Sequence, residues 1–273
     1  MLGNYIEKVR KESPLIHNIT NYVTVNDVAN VLLACGASPI MADSPHEVEE
    51  ITAISKGLTI NIGTLSQKTI PAMFLAGKKA NQLGHKVVLD PVGAGASKFR
   101  RETAIHLTKE VHFDVIRGNF SEMKTLALGN GAAKGVDVSA VDVITEKTLQ
   151  QTINFLKTFA KKLGCIVVAT GAMDLVTDEQ KCYVIRNGRS EMRRITGTGC
   201  QLSALITAFL AANPGKELEA TVAAVCMMGI AGEIGWENMK PFEGNASYRD
   251  RIIDAICKMD KEGLEKRAKY EIR

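Results

Sequence analysis

Residues 85–92 read HKVVLDPV, an apolar run that closes on Asp90 and Pro91. A strand with one wet face would alternate apolar and polar residues, whereas consecutive apolar positions suit a strand covered on both faces, as in a parallel sheet. The same pattern recurs on either side, in LTINIG at 58–63, FDVIRGN at 113–119 and CIVVATG at 165–171, each ending in Gly, Asp or Asn. Helical stretches lie between, among them 66–84 and 146–164; in the second, Leu149, Ile153, Phe155, Leu156 and Phe159 share an apolar face and Gly164 is placed to cap it. Strand, loop, helix and strand in repetition predict an α/β fold with a mostly parallel central sheet and helices on both faces. Residues 174–178 and 182–188, joined by the short polar link 179–181, read instead as an antiparallel hairpin at one edge of the sheet. Helices are expected over 199–212, 218–239 and 248–270. No linker or repeat interrupts the chain, which is read as a single domain over 1–273.

Composition narrows the function classes. The chain has 273 residues, 45% hydrophobic and 23% charged, in the ordinary globular range. Its formal net charge of +4 is carried by scattered basic pairs such as Lys161–Lys162 and Arg193–Arg194, which argues against a nucleic-acid face. The six cysteines form no CxxC or His–Cys cluster, so neither a disulfide framework nor a zinc site is expected. No signal peptide is expected at the N-terminus, no run of membrane-spanning length is read, and the expected compartment is the reduced cytoplasm.

In an open parallel sheet, ligands bind beyond the carboxyl ends of the strands. Those ends carry Gly63-Thr64, Asp90 with Gly93 and Gly95, Arg117-Gly118-Asn119 and Thr170-Gly171. Singly, each has a plain reading as a turn former or cap; several in one chain point to a site. The Arg117 fork suits a phosphate. Glu122, at the start of the next helix, complements the helix dipole, and beside Asp90 it could also bind Mg²⁺, which takes one or two carboxylates together with waters and phosphates. The segment ITGTGCQLSAL at 195–205 puts Gly197 and Gly199 before an apolar helix, a cradle whose N–H groups favour an anion. It lacks the lysine of a P-loop. The field at a helix N-terminus is expected to lower the pKa of Cys200, making it a candidate base or orienting group for a substrate hydroxyl; its plain reading is a small buried residue packing the helix start.

The chain resembles the hydroxyethylthiazole kinase family of the ribokinase-like, three-layer fold. The resemblance runs from SPLIHNITNYVTVNDVANVLLACGASPIM through NIGTL, LDPVGAGAS, IRGNFSE and VVATGAMDLVTD to TGTGC, nearly the full length. It implies phosphoryl transfer from Mg-ATP to the primary alcohol of 4-methyl-5-(2-hydroxyethyl)thiazole, a step of thiamine salvage. By the family's motifs Met41 and Gly197 would contact the thiazole, Arg117 and Thr170 the ATP, and Asn119 with Glu122 would lie near metal and phosphates. Cys200 stands where most ribokinase-like relatives outside this family carry a catalytic aspartate. VATG in place of the family's more usual VVTG leaves Thr170 where it is. The resemblance further implies a homotrimer with the thiazole pocket between subunits. Rival readings are a kinase of another vitamin alcohol (hydroxymethylpyrimidine or pyridoxal), an ATP- or ADP-dependent NAD(P)H-hydrate dehydratase, and a nucleotide-binding module without catalysis. The first two would carry aspartate at position 200, and the intact Asp90, Arg117, Glu122 and Thr170 argue against the third.

Overall fold

The computed structural model describes residues 1–129 and 144–273. Its strands join one nine-stranded sheet in the order β2-β1-β3-β4-β5-β6-β7-β8-β9. They are β1 Leu15–Ile19, β2 Ser38–Met41, β3 Gly57–Asn61, β4 Lys86–Asp90, β5 Val115–Asn119, β6 Ile166–Thr170, β7 Asp174–Thr177, β8 Cys182–Ile185 and β9 Tyr270–Ile272. From β2 to β6 every pairing is parallel; from β6 to β9 every pairing is antiparallel.

Helices cover both faces. On one lie α1 (Gly3–Glu12), α2 (Val25–Cys35), α8 (Thr198–Ala212), α9 (Glu217–Glu237), α10 (Asn245–Lys258) and α11 (Lys261–Arg267). On the other lie α3 (Val48–Ile54), α4 (Ile70–Leu83), α5 (Lys98–Glu110), α6 (Phe120–Leu128) and α7 (Leu149–Leu163). The run in β4 divides accordingly: Val88 packs with the first set and Val87 and Leu89 with the second. In β6, Val168 likewise faces away from Val167 and Ala169. This is why the strands read as continuously apolar. Gly164 ends α7 at φ +64°, in the left-handed conformation expected of a helix cap.

The structure departs from the sequence reading in three places. The stretch 248–270 is two helices and a strand, because Asp260 caps α11 by accepting the Gly263 N–H at 2.7 Å and so breaks the helix begun at Asn245. The hairpin β7–β8 is therefore not the sheet edge: β9 pairs with β8, Tyr183 opposite Ile272. Finally, α9 is long and apolar enough to cross a membrane by length and composition, with mean hydropathy 1.4, but 78% of that stretch is buried within the protein. It is a core helix, packed against α8 and α10.

Candidate active site

The parallel strands end along one edge of the sheet, and the N-terminus of α8 arrives there. Asp90 is the last residue of β4 and is fully buried. Its Oδ2 accepts hydrogen bonds from Asn61 Nδ2 at 3.0 Å and Ser203 Oγ at 2.8 Å, while Oδ1 is buried without a partner among the described residues. Burial pushes the Asp90 carboxyl up to about 6, against the opposing pull of Arg117 and of the Ser203 and Asn61 hydrogen bonds. Arg117, in the middle of β5, places Nη1 3.6 Å from Asp90 and donates from Nη2 to Thr170 Oγ1 at 2.8 Å. Its Nε, like Asp90 Oδ1, is buried and unpartnered among the described residues. A largely buried guanidinium with an unspent donor thus lies beside a carboxylate with an unspent acceptor, a pairing that could receive a polar ligand.

Gly197 and Gly199 are glycines for separate reasons. Gly197 caps α8 at φ +91°, where a Cβ would also press on the Thr24 side chain; at Gly199 a Cβ would collide with the Arg117 guanidinium. The first ladder bond of α8 runs from Gln201 N–H to Gly197 C=O at 2.9 Å, so the N–H groups of Thr198, Gly199 and Cys200 precede the helix's own ladder. With the helix dipole and Arg117 they make an electropositive corner suited to a phosphate.

Cys200 lies in this first turn, with Asn21 Nδ2 3.9 Å from its sulfur. The helix-terminus field does not win: burial raises the Cys200 thiol pKa and the nearby Asp90 charge raises it further, outweighing Thr24, Asn61 and Arg117. The expected lowering of the thiol pKa is thus overturned. Sequence shows the helix start but neither the burial nor the carboxylate beside it.

Glu122 and Asn119 form a reciprocal cap on α6: Glu122 Oε2 accepts the Asn119 N–H at 2.7 Å and Asn119 Oδ1 the Glu122 N–H at 2.9 Å. The other oxygen, Oε1, accepts the Gly93 N–H at 2.8 Å and ties the loop after β4 to the end of β5. The plain capping reading therefore holds, and the same carboxylate also touches the loop that follows Asp90. Met41 stands apart from this cluster, at the end of the outer strand β2 in register with Asn18 of β1. The segment after it is held by His17, whose Nε2 lies 2.8 Å from the Ala42 carbonyl and Nδ1 3.0 Å from Thr52 Oγ1. Burial lowers the His17 pKa, so the neutral ring donates from Nε2 and accepts from Thr52.

Three participants were not read from sequence. Asn61, closing β3, bridges the Asp90 neighbourhood to Gly63 by accepting the Gly63 N–H at 2.8 Å. Ser203 is three residues beyond Cys200, a spacing that puts it on the same helix face and was a usable signal. Beyond it a polar seam continues along α8: Thr207 Oγ1 donates to the Ser203 carbonyl at 2.9 Å and pairs with Thr59 Oγ1 at 2.8 Å. Arg100, the third, donates to three main-chain carbonyls of the loops after β3 and β4.

The hydroxyethylthiazole kinase family model matches residues 6–262. The chain belongs to the hydroxyethylthiazole kinase family. A protein of that name from Clostridium acetobutylicum is 56% identical over 99% of both chains, and one from Clostridium tetani 44% identical over 97% of this chain and 96% of its own. The solved hydroxyethylthiazole kinase protein from Pyrococcus horikoshii superposes with a TM-score of 0.88 at 33% identity, covering 100% of this chain and 98% of that one. Pyridoxal kinase from Staphylococcus aureus shares the fold at TM-score 0.60 and 15% identity, over 95% of this chain and 97% of that chain. The doubly covered, mostly parallel sheet of this family member is thus the ribokinase-like fold expected from its sequence.

Proposed function

We propose that the protein transfers the γ-phosphoryl group of ATP to the primary hydroxyl of 4-methyl-5-(2-hydroxyethyl)thiazole, releasing ADP and the thiazole phosphate for thiamine salvage. The observation that carries this reading is Cys200 in the first turn of α8, within the Arg117–Asp90 cluster, in a chain that matches the kinase family along nearly its whole length.

In the reaction the hydroxyl oxygen forms a bond to the γ-phosphorus, the bond to the β-γ bridging oxygen breaks as ADP leaves, and the hydroxyl proton passes by way of the transferred phosphoryl oxygens to solvent. Arg117 and the N–H groups opening α8 would stabilise the charge on the transferred group, and Thr170 would hold Arg117 against the nucleotide. Gly197, with Met41, would bound the thiazole. Cys200, its thiol kept protonated by burial, would orient the substrate hydroxyl; phosphoryl transfer rests mainly on positioning and electrostatics and does not require a strong base. The donor set fits Mg²⁺, a hard cation satisfied by few protein carboxylates: Asp90 offers an unpartnered oxygen and Glu122 lies close enough to act on it electrostatically. When bound, Mg²⁺ would neutralise phosphate charge. We further propose that residues 1–273 work as one domain in the cytoplasm, in a homotrimer that sets the thiazole pocket between subunits.

The test is ADP release from Mg-ATP by the purified protein with and without hydroxyethylthiazole. Thiazole-dependent ADP is expected; release that depends instead on hydroxymethylpyrimidine, pyridoxal or hydrated NADH would overturn the proposal.

A further inference from the structure

Arg100 is the third residue of α5, its own N–H bonded to the Ser97 cap at 3.2 Å, in the charged stretch KFRRE. Its guanidinium turns back over the sheet edge. Nη1 donates to the Ile62 carbonyl at 2.6 Å and to the Val92 carbonyl at 3.1 Å, and Nη2 to the Gly63 carbonyl at 2.8 Å. Among the described residues it makes no ion pair with a carboxylate, and its charge rests on main-chain oxygens.

Two of those carbonyls belong to peptides whose N–H groups serve the site. The Val92–Gly93 peptide gives its oxygen to Arg100 and its N–H to Glu122 Oε1 at 2.8 Å. The Ile62–Gly63 peptide gives its oxygen to Arg100 and its N–H to Asn61 Oδ1 at 2.8 Å, and Asn61 Nδ2 donates to Asp90 Oδ2 at 3.0 Å. One guanidinium therefore stands behind both carboxylates, one peptide away from Glu122 and one peptide and one amide away from Asp90. A cation on a carbonyl polarises the peptide and strengthens its N–H as a donor. The fork also fixes the planes of two glycine-containing loops, which a lysine, with one compact ammonium on a flexible stem, does not do equivalently.

We propose that Arg100 is a positioning residue for the metal-nucleotide end of the site, setting Glu122 and Asp90 through the Gly93 and Gly63 peptides. The inference rests on the assignment of those carboxylates to Mg-ATP. It separates the two substrates: nucleotide binding depends on Arg100, and thiazole binding does not.

The test compares wild type with Arg100→Lys, Arg100→Gln and Arg100→Ala. In ligand-free, metal-free protein, amide exchange at Gly63 and Gly93 is expected to quicken by about tenfold or more in the Gln and Ala variants, as local anchors of these loops are lost. Mg-ATP affinity, measured by titration calorimetry, should weaken roughly 10–100-fold, the range typical of groups that orient metal ligands, while the KM for hydroxyethylthiazole stays within about twofold. Methylguanidinium should restore part of the Mg-ATP affinity to Arg100→Ala and none to Arg100→Gln, whose side chain still fills much of the space. Should Arg100→Ala fail to fold, the Lys and Gln variants carry the comparison. Unchanged Mg-ATP affinity in the folded variants overturns the proposal. So does equal weakening toward both substrates with unchanged exchange at the two glycines, the mark of a merely structural arginine. Wild-type protein without thiazole-dependent turnover would instead overturn the function proposed above, and amide exchange and calorimetry would still decide the role of Arg100.

Discussion

Replacing Asp90 by asparagine should stabilise the ligand-free protein at neutral pH while lowering turnover. Burial moves this carboxyl from its ordinary 3.8 to about 6. Between those values the native protein keeps a proton that the unfolded chain has released, so unfolding free energy falls as pH rises from about 4 to about 6 and then levels. A rise of about two pH units at about 1.4 kcal/mol each makes ionised Asp90 about 3 kcal/mol destabilising at pH 7, as an order of magnitude. Asparagine has nearly the same shape. Its amide oxygen can keep the bonds from Asn61 and Ser203, its NH₂ takes the place of the unpartnered Oδ1, and no proton is lost at any pH. The assay is denaturant unfolding of wild type and Asp90→Asn in EDTA at several pH values between 4 and 7. Other titrating groups cancel in the difference, and any constant cost of weakening the Arg117 contact offsets it equally at every pH without changing its slope. The variant's stability relative to wild type should climb by about 2 kcal/mol across that window and flatten above pH 6. A difference that is level with pH, or that shrinks as pH rises, would refute the reasoning.

Arg117→Lys removes the fork that reaches Thr170 and Asp90 together; losing a charge-assisted hydrogen bond of about 1.5–3 kcal/mol should raise the KM for ATP by roughly tenfold or more in steady-state assays. Gly197→Ala puts a side chain at φ +91° and against Thr24, so the melting temperature should fall, with at least about 1–2 kcal/mol lost to the backbone alone, and the thiazole KM should rise more than that for ATP. Iodoacetamide at pH 8, followed by mass spectrometry, should label exposed Cys257 well before Cys200, which is buried and holds its proton; equal or faster labelling of Cys200 would contradict its raised pKa.

Much of this was legible in the sequence because the chemistry that defines it is local. Strands covered on both faces announce themselves as unbroken apolar runs, and β3 to β6 were found that way. Strands β1 and β2 were not, because buried His17 and Asn18 interrupt the first and Pro39, tolerated at a sheet edge, interrupts the second. The three-residue β9 has no apolar signature, since tertiary pairing with β8 alone makes it a strand. Asp90, Thr170 and Gly197 were readable because each sits where an element begins or ends, and Arg117 because a cation stands out within an otherwise apolar strand. Arg100 was hidden by its charged neighbours, and Ser203 was signalled only by its spacing from Cys200. The Cys200 ionisation was misread because it depends on what packs around the thiol, which no local pattern encodes.

The hydroxyl seam of α8 has a bearing on how the active site keeps its dimensions. Apolar side chains such as Leu205 and Phe209 pack the helix tightly but are indifferent to direction, and leave room for a small rotation or slide at little cost. Hydrogen bonds from Ser203 to Asp90 and between Thr207 and Thr59 are satisfied at one setting only. They act as a gauge between helix and sheet, setting the height of the first turn of α8 above the Asp90 carboxylate. Replacing the seam with alanine and valine would leave an oilier and comparably stable joint whose two halves no longer know where to stop.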